Sequence, residues 1–300
     1  MIRFSFIIPH KNAPKLLARC IDSIPNRNDV EIIVVDDASD DCVKELESLE
    51  RKYKDRNCYF YFQQKSMGAG YARNVGIEKS KGYWLLFADA DDFYTEAMNP
   101  FLDKYADDHI HDLIYLNSQI YKDDGSTLPL SFDKYIKRYN RNAFYSEKVL
   151  RYNMWTPWSR MVTKKLVVDN NIRYEEIPVG NDKMFCLLCS KYAKKIGAEI
   201  SVCYNYYMPT SGSLTYTYCV KPENLKIKLA LQLRSNILYD EVGYAFKSSL
   251  LYFYISSAKY EKNADSRRTY RDFFKANSIS LIKDFYYLIK QVVGKIIGIL

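Results

Sequence analysis

The stretch YWLLFADADD, residues 83–92, joins an apolar run directly to three carboxylates. Its first six residues predict a buried strand, and Asp89, Asp91 and Asp92 follow where that strand ends. Two carboxylates one residue apart can face a single hard cation such as Mg²⁺ or Mn²⁺. A solvated acidic turn is the plainer explanation of a short Asp-x-Asp pattern. The buried strand in front of it favours a binding site.

Three further strands are predicted upstream, and helices separate them. Apolar or β-branched runs at residues 4–8, 31–35 and 58–62 indicate the strands. A helix begins at Pro14, another follows Ser39, and a third covers about residues 71–80. This alternation predicts an α/β fold with a mostly parallel central sheet flanked by helices.

Polar residues follow three of these strands, at residues 9–12, 36–37 and 89–92. Ligands on such sheets bind at the carboxyl ends of the strands, so these clusters predict one shared site. Asp36 or Asp37 is suited to accept a hydrogen bond from a base imide or a ribose hydroxyl. The alternative is a turn aspartate that caps the helix after Ser39, and one of the two could serve only that purpose.

Two common nucleotide-binding patterns are absent. No GxGxxG follows the first strand, and no GxxxxGK[ST] occurs anywhere. These absences argue against an NAD enzyme and against a P-loop NTPase.

The composition is that of a globular protein, with 48% apolar and 27% charged residues among 300. The net charge is +8, yet no basic run interleaved with aromatic residues indicates nucleic-acid binding. Of the seven cysteines, Cys186 and Cys189 are three apart, but they have no second ligand pair and fit a buried helix better than a zinc site. Unpaired cysteines, with no export signal at the N-terminus, suit the cytoplasm.

Four segments together resemble glycosyltransferase family 2. They are FIIPHKN at residues 6–12, IVVDDASD at 33–40, GYARNVG at 70–76 and FADADD at 87–92. Their order and spacing agree with the family, whose fold is a nucleotide-diphospho-sugar transferase domain of the GT-A type. Each segment is weak alone, whereas the four together are specific.

The resemblance continues to about residue 218. Residues 158–166, 171–176 and 180–185 are similar to the acceptor half of the family. The family usually has Glu-Asp before the helix there, and this chain has Asn181 and Asp182. The usual tyrosine after the first strand's proline is replaced by Lys11.

The resemblance implies a role for each matching residue. Asp182 would be the general base, placed at a predicted helix start where the helix dipole favours the ionised form. Asp91 and Asp89 would hold Mn²⁺ or Mg²⁺, with Asp91 the more direct ligand. The residues implied for the remaining contacts are Pro9 and Asp37 for the nucleoside, Arg73 and Asp89 for the nucleotide, and Trp158 for the acceptor.

The predicted function is that of a metal-dependent, inverting glycosyltransferase. It would move a sugar from a nucleotide-diphosphate donor to a hydroxyl of a saccharide or lipid-linked acceptor in bacterial surface polysaccharide synthesis. A single base with no second carboxylate nucleophile implies one displacement and hence inversion. The alternatives are a sugar-phosphate nucleotidyltransferase and a non-catalytic carbohydrate-binding or scaffold protein. The donor, the acceptor and the oligomeric state stay open.

The predicted domains are a catalytic domain, residues 1–220, and a helical region, residues 221–300. The catalytic domain divides into a nucleotide-binding half, 1–120, and an acceptor half, 121–220. Near the C-terminus, apolar residues recur at helical spacing among lysines: Phe285, Ile289, Val292, Val293, Ile296 and Leu300. This basic amphipathic pattern predicts a helix at the inner leaflet of the cell membrane, and packing on the catalytic domain or on a second subunit is the alternative.

Overall fold

A computed structural model describes residues 1–40, 42–209, 222–243, 249–251 and 264–296. The chain forms two compact units. One comprises residues 1–176 with 181–210, and the other comprises residues 177–180 with 211–300. The predicted domain boundary, between residues 220 and 221, lies outside the described residues.

The first unit is built on a nine-stranded sheet, whose spatial order is β3-β2-β1-β4-β8-β6-β9-β5, with β7 beside β6. The strands are β1 Phe4–His10, β2 Val30–Asp36, β3 Cys58–Phe62, β4 Trp84–Phe87, β5 Phe93–Tyr94, β6 Leu113–Lys122, β7 Thr127–Pro129, β8 Arg160–Thr163 and β9 Ile196–Met208. The α/β class and the four predicted strands are confirmed. All three pairings among β1, β2, β3 and β4 are parallel.

The second half of the sheet is mixed, which corrects the expectation of a mostly parallel sheet. Strand β8 runs antiparallel to both β4 and β6, and β7 and β5 also pair antiparallel with their neighbours. Among the strands that the structure describes in this half, only β6 and β9 pair in parallel. Strand direction escapes sequence patterns because a strand buried on both faces has the same composition in either direction.

Eight helices of this unit are described: α1 Pro14–Ser23, α2 Val43–Lys52, α3 Ala69–Lys79, α4 Met98–Tyr105, α5 Phe132–Arg141, α6 Ala143–Asn153, α7 Lys164–Asp169 and α8 Lys183–Tyr192. They cover both faces of the sheet. Alternate residues of β1 show this, since Phe6 and Ile8 enter one apolar cluster and Ile7 enters another. Helix α3 packs closely on β1. A Cβ atom added at Gly76 would lie only 2.3 Å from Ile7 Cγ2, so no larger residue fits there without a shift.

The second unit is helical where the structure describes it. Its long helices are α9 Pro222–Glu241, α10 Ala264–Ala276 and α11 Leu281–Ile296. A small core joins α9, residue 250 and α10, and it contains Leu225, Leu229, Leu250, Tyr270 and Phe274. The helical character predicted for this region is therefore confirmed within the described residues.

Candidate functional site

The three predicted polar clusters lie at one edge of the sheet. Strands β2, β1 and β4 are neighbours in that order, and they end at Asp36, His10 and Phe87. Because these strands are parallel, their carboxyl ends open on the same edge. The Asp89–Asp92 loop follows β4 directly, so the structure brings together the groups that the sequence placed at separate strand ends.

Arg73 links this edge to the start of α8. Its Nη2 donates to Asp89 Oδ1 at 2.5 Å, and its Nη1 donates to Asn181 Oδ1 at 2.9 Å. Its guanidinium also lies over the ring of Tyr174, 5.3 Å from the centroid. The side chain is buried, so this is no surface ion pair. The contact with Asn181 is made at the position where the family pattern usually has glutamate.

A close backbone approach keeps α3 against the segment that precedes Asp182. A Cβ on Gly70 would lie 2.1 Å from the carbonyl oxygen of Glu175 and 3.2 Å from Asn181 Cβ. No side chain fits between the backbone at Gly70 and the backbone at Glu175. The glycine therefore permits the close approach that brings Arg73 within hydrogen-bond distance of Asn181.

The predicted base, Asp182, is the N-cap residue of α8, and its side chain makes no capping hydrogen bond. Burial raises the pKa of Asp182, and the nearby positive charge of Arg73 opposes that rise. The expectation that the helix dipole favours an ionised group is therefore offset by burial. A raised pKa brings a carboxylate nearer to the range in which general bases operate.

The surroundings of Asp91 disfavour the ionised form of its carboxyl group. Burial, and then the neighbouring charge of Asp89, raise the pKa of Asp91 to about 6. A divalent cation bound by both groups would reverse that effect, because it favours the ionised form. Two carboxylates plus substrate phosphates are an ordinary Mg²⁺ or Mn²⁺ donor set. The residues present therefore fit such an ion, although no group of three or more His, Cys, Asp or Glu ligands occurs within the described ranges.

Asp92 has a different role from its two neighbours. It is buried and accepts hydrogen bonds from Tyr204 Oη and from the backbone N–H of Tyr207, both at 2.7 Å. The Tyr204 hydroxyl in turn accepts from the backbone N–H of Asp89 at 3.1 Å. Strand β9 thus fixes the Asp89–Asp92 loop from the far half of the sheet.

Arg19 is a residue of this site that the sequence analysis missed. Its Nη2 donates to the backbone carbonyl of Asp91 at 2.6 Å, while its guanidinium lies over the rings of Phe93 and Tyr207. Those contacts span three elements distant in the chain. No spacing pattern within α1 signals them.

Asp36 and Asp37 make different contacts in the structure. Asp36 accepts from the backbone N–H of Ser39 at 2.8 Å and from His10 Nδ1 at 2.8 Å. Burial acts to raise the pKa of Asp36, but the hydrogen bonds from His10 and Ser39 outweigh it and lower that pKa. Asp36 is therefore the turn aspartate of the pair. The helix after Ser39 has Cys42 as its N-cap residue and no side-chain cap.

Asp37 instead holds the loop that leads into α3. Its carboxylate accepts from Ser66 Oγ at 2.7 Å and from the backbone N–H groups of Met67 and Gly68 at 2.6 and 2.9 Å. Lys11 joins the same network by donating to Ser66 Oγ at 2.8 Å. Pro9 is buried within β1 beside Val35. The nucleoside contacts of Pro9 and Asp37 stay predictions.

Trp158 is buried rather than open to an acceptor. Its indole stacks on the rings of Tyr204 and Tyr206, with centroids 5.1 and 5.6 Å away. The exposed tryptophan of this region is Trp155, three residues earlier. The acceptor role of Trp158 stays a prediction. Cys186 and Cys189 are free and buried in the core, as expected.

Comparison with known proteins agrees with this architecture. The family model of glycosyl transferase family 2 matches residues 5–166. Poly(ribitol-phosphate) beta-N-acetylglucosaminyltransferase TarS of Staphylococcus aureus is 24% identical over 257 residues, which cover 84% of this chain and 43% of TarS. The chain therefore spans less than half the length of that relative.

Two further similarities cover more of the chain. The GalNAc(5)-diNAcBac-PP-undecaprenol beta-1,3-glucosyltransferase of Campylobacter jejuni is 26% identical over 291 residues, covering 94% of this chain and 90% of that protein. The crystal structure of S. aureus TarS 1–349 in complex with UDP-GlcNAc matches with a TM-score of 0.69 and 20% identity, covering 97% and 88% of the two chains. The family model matches more than half of the chain, and the fold agrees with that match. The chain therefore belongs to glycosyl transferase family 2.

Proposed function

We propose that this chain is an inverting glycosyltransferase that moves a sugar from a nucleotide-diphosphate donor to a hydroxyl of a saccharide or lipid-linked acceptor. The observation that carries the proposal is the Arg73 bridge, which joins Asp89 of the acidic loop to Asn181 beside Asp182. The buried guanidinium of Arg73 thus contacts the loop proposed to bind the donor and the residue next to the proposed base. The relatives named above support a role in bacterial surface polysaccharide synthesis.

Asp89 and Asp91 would hold Mn²⁺ or Mg²⁺ together with the donor diphosphate. The ion supplies Lewis-acid neutralisation of the charge that develops on the departing nucleoside diphosphate. Arg19 and Tyr204 keep the acidic loop in place through its backbone, at the carbonyl of Asp91 and the N–H of Asp89. The loop therefore presents its carboxylates without having to reorganise during the reaction.

Asp182 would remove the proton from the acceptor hydroxyl as that oxygen attacks the anomeric carbon. Its raised pKa gives the carboxylate a stronger affinity for that proton than an exposed aspartate has. The Arg73 charge opposes that rise and so favours the ionised form that a base requires. One displacement with one base inverts the anomeric centre.

A screen of nucleotide sugars by thermal shift, with and without Mn²⁺, tests the proposal. We expect a UDP-sugar plus Mn²⁺ to stabilise the protein by about 2.7 kcal/mol at a ligand concentration 100 times Kd. Turnover of a nucleoside triphosphate with a sugar phosphate would instead identify a nucleotidyltransferase. Carbohydrate binding without any nucleotide response would identify a scaffold or binding protein.

We also propose that α11 lies on an anionic membrane surface at the inner leaflet. The described part of the chain contains no helix that is both long enough and apolar enough to cross a membrane. Helix α11 exposes a stripe of apolar side chains that are each 46–85% accessible: Leu281, Ile282, Phe285, Tyr286, Ile289, Val292 and Val293. Four of the six residues predicted for this face belong to it. The Ile296 side chain, Ile297 and Leu300 lie outside the described part.

The charges on α11 support a lipid surface with negative head groups. Its one acidic residue, Asp284, is buried and accepts hydrogen bonds from Ser249, Leu250 and Leu251. Lys283 and Lys290 remain on the helix beside the apolar stripe, and Lys283 is exposed. Apolar burial and attraction of lysines to anionic lipid act together in an interfacial helix.

Replacing Phe285 and Ile289 by serine should weaken binding to phosphatidylglycerol vesicles by tenfold or more, because each buried apolar side chain contributes about 1.5–3 kcal/mol. Flotation measures this, with Ile110→Ser/Val168→Ser as a matched control at exposed apolar positions of the other unit. Point substitutions test the membrane contact more specifically than a deletion of residues 270–300 would. Such a deletion would also remove Tyr270 and Phe274 from the small core of this unit. Equal flotation of both variants and the wild type would exclude the membrane contact.

A further inference from the structure

An exposed tryptophan and a lysine meet directly beside Asp182. The indole of Trp155 is 42% accessible, and Lys183 Nζ lies 5.5 Å from the centre of its ring. Lys183 follows Asp182 in the chain and begins α8. The pair therefore offers an apolar ring and an ammonium group next to the group proposed to activate the acceptor.

A buried arginine fixes the position of this pair. Arg160 is fully buried, and it donates from Nε to the carbonyl of Thr156 at 3.1 Å and from Nη2 to the carbonyl of Met154. Its Nη1 donates to the carbonyl of Cys186 at 2.8 Å, one turn into α8. Arg160 thus binds the backbone on both sides of Trp155 and ties it to the helix that carries Lys183.

An anionic ligand at Lys183 would offset the cost of burying its ammonium group. Burial lowers the pKa of Lys183 to about 8, while the negative charge of Asp182 opposes that change. A phosphate group at this ammonium would favour its charged form and form charge-assisted hydrogen bonds. The indole beside it presents the kind of apolar surface on which the carbon face of a sugar or polyol packs.

We infer that Trp155 and Lys183 form an acceptor subsite for a saccharide or polyol that carries a phosphate group. Trp155 packs against the carbon face of the unit to be glycosylated, and Lys183 binds its phosphate, so that the hydroxyl faces Asp182. This inference rests on the proposed function and names its acceptor class. The phosphate could belong to a polyol-phosphate polymer or to a lipid-linked diphosphate saccharide.

Kinetics of a Lys183→Met variant test the subsite. The probes are a ribitol-phosphate oligomer, a farnesyl-diphosphate-linked disaccharide and an uncharged methyl glycoside. For at least one phosphate probe we expect KM to rise about tenfold, because the variant loses one charge-assisted hydrogen bond to the phosphate. The value of kcat should change far less. KM for the uncharged probe should not rise in this way, and Lys183→Arg should recover most of the affinity. Which phosphate probe responds identifies the source of the phosphate.

The same helix offers a matched control. Lys191 Nζ also lies 5.5 Å from an aromatic centroid, that of Tyr192, whose exposure is likewise 42%. Lys191→Met should leave KM for every probe unchanged. An equal rise of KM for charged and uncharged probes with Lys183→Met, or no rise, would overturn the subsite.

Calorimetry of the wild type with UDP-sugars separates this failure from failure of the proposed function. A wild type that binds a donor with Mn²⁺ but shows no role for Lys183 keeps the proposed function and loses the subsite. A wild type that binds no nucleotide sugar loses both.

Discussion

Asp182→Asn is expected to lower kcat for sugar transfer by about 10²–10⁴-fold, the usual contribution of a positioned general base. An amide of the same shape cannot take the proton of the acceptor hydroxyl. The fold should survive, because the Asp182 side chain makes no capping hydrogen bond to α8. Donor affinity should also survive, since the Arg73 contacts with Asp89 and Asn181 do not involve Asp182.

Transfer rates for this variant are best compared with those for Asp169→Asn. Asp169 is an exposed aspartate at the end of α7, paired with Lys165, and its replacement should leave kcat unchanged. Donor affinity is measured by calorimetry in parallel. A wild-type rate for Asp182→Asn, at unchanged acceptor concentration, would show that the base is another group.

Asp91→Asn is expected to remove metal-dependent donor binding, with a loss of affinity of about 100-fold or more. Even residues that merely orient metal ligands cost about 10–100-fold when replaced, and an amide is a weaker, neutral ligand. The variant should fold well, because burial and the charge of Asp89 make the ionised carboxylate unfavourable in the free protein.

Calorimetry of UDP-GlcNAc with Mn²⁺ and with EDTA measures this loss. Asp55→Asn, at an exposed position before β3, is the control and should bind as the wild type does. Equal affinity of Asp91→Asn and the wild type in Mn²⁺ would contradict the ligand assignment. Equal affinity of the wild type in Mn²⁺ and in EDTA would contradict metal dependence itself.

The sequence predicts the nucleotide-binding edge well because local patterns determine it. Each strand from β1 to β4 is a short apolar run, and the polar group that follows each run marks the edge on which parallel strands end. Asp89 and Asp91 could therefore be assigned to a strand end, and Asp182 to a helix start, from neighbouring residues alone. Family resemblance then added their implied roles.

The groups that support this edge come from distant parts of the chain and could not be predicted. Tyr204 on β9 orders the acidic loop, and Arg19 on α1 holds the carbonyl of Asp91. Neither residue stands in a spacing that predicts the contact. The antiparallel position of β8 between β4 and β6 could not be predicted for the same reason, because strand order depends on long-range pairing.

Burial is the other quantity that spacing does not determine. Trp158 and Trp155 are three residues apart, yet the first is stacked inside the core and the second faces solvent. For Asp182, the helix start is visible in the sequence but the extent of burial is not. The direction of its pKa shift follows from the burial, which the structure alone provides.

The anomeric configuration of the newly formed glycosidic bond tests the central claim most directly. The purified protein is incubated with Mn²⁺, a donor of known configuration and an acceptor probe that it glycosylates. NMR then gives the coupling constant between H1 and H2 of the transferred sugar. A single displacement assisted by Asp182 predicts the configuration opposite to that of the donor. Retention of the donor's configuration would contradict the account, because it would require a second displacement and a nucleophile that the proposed site does not assign.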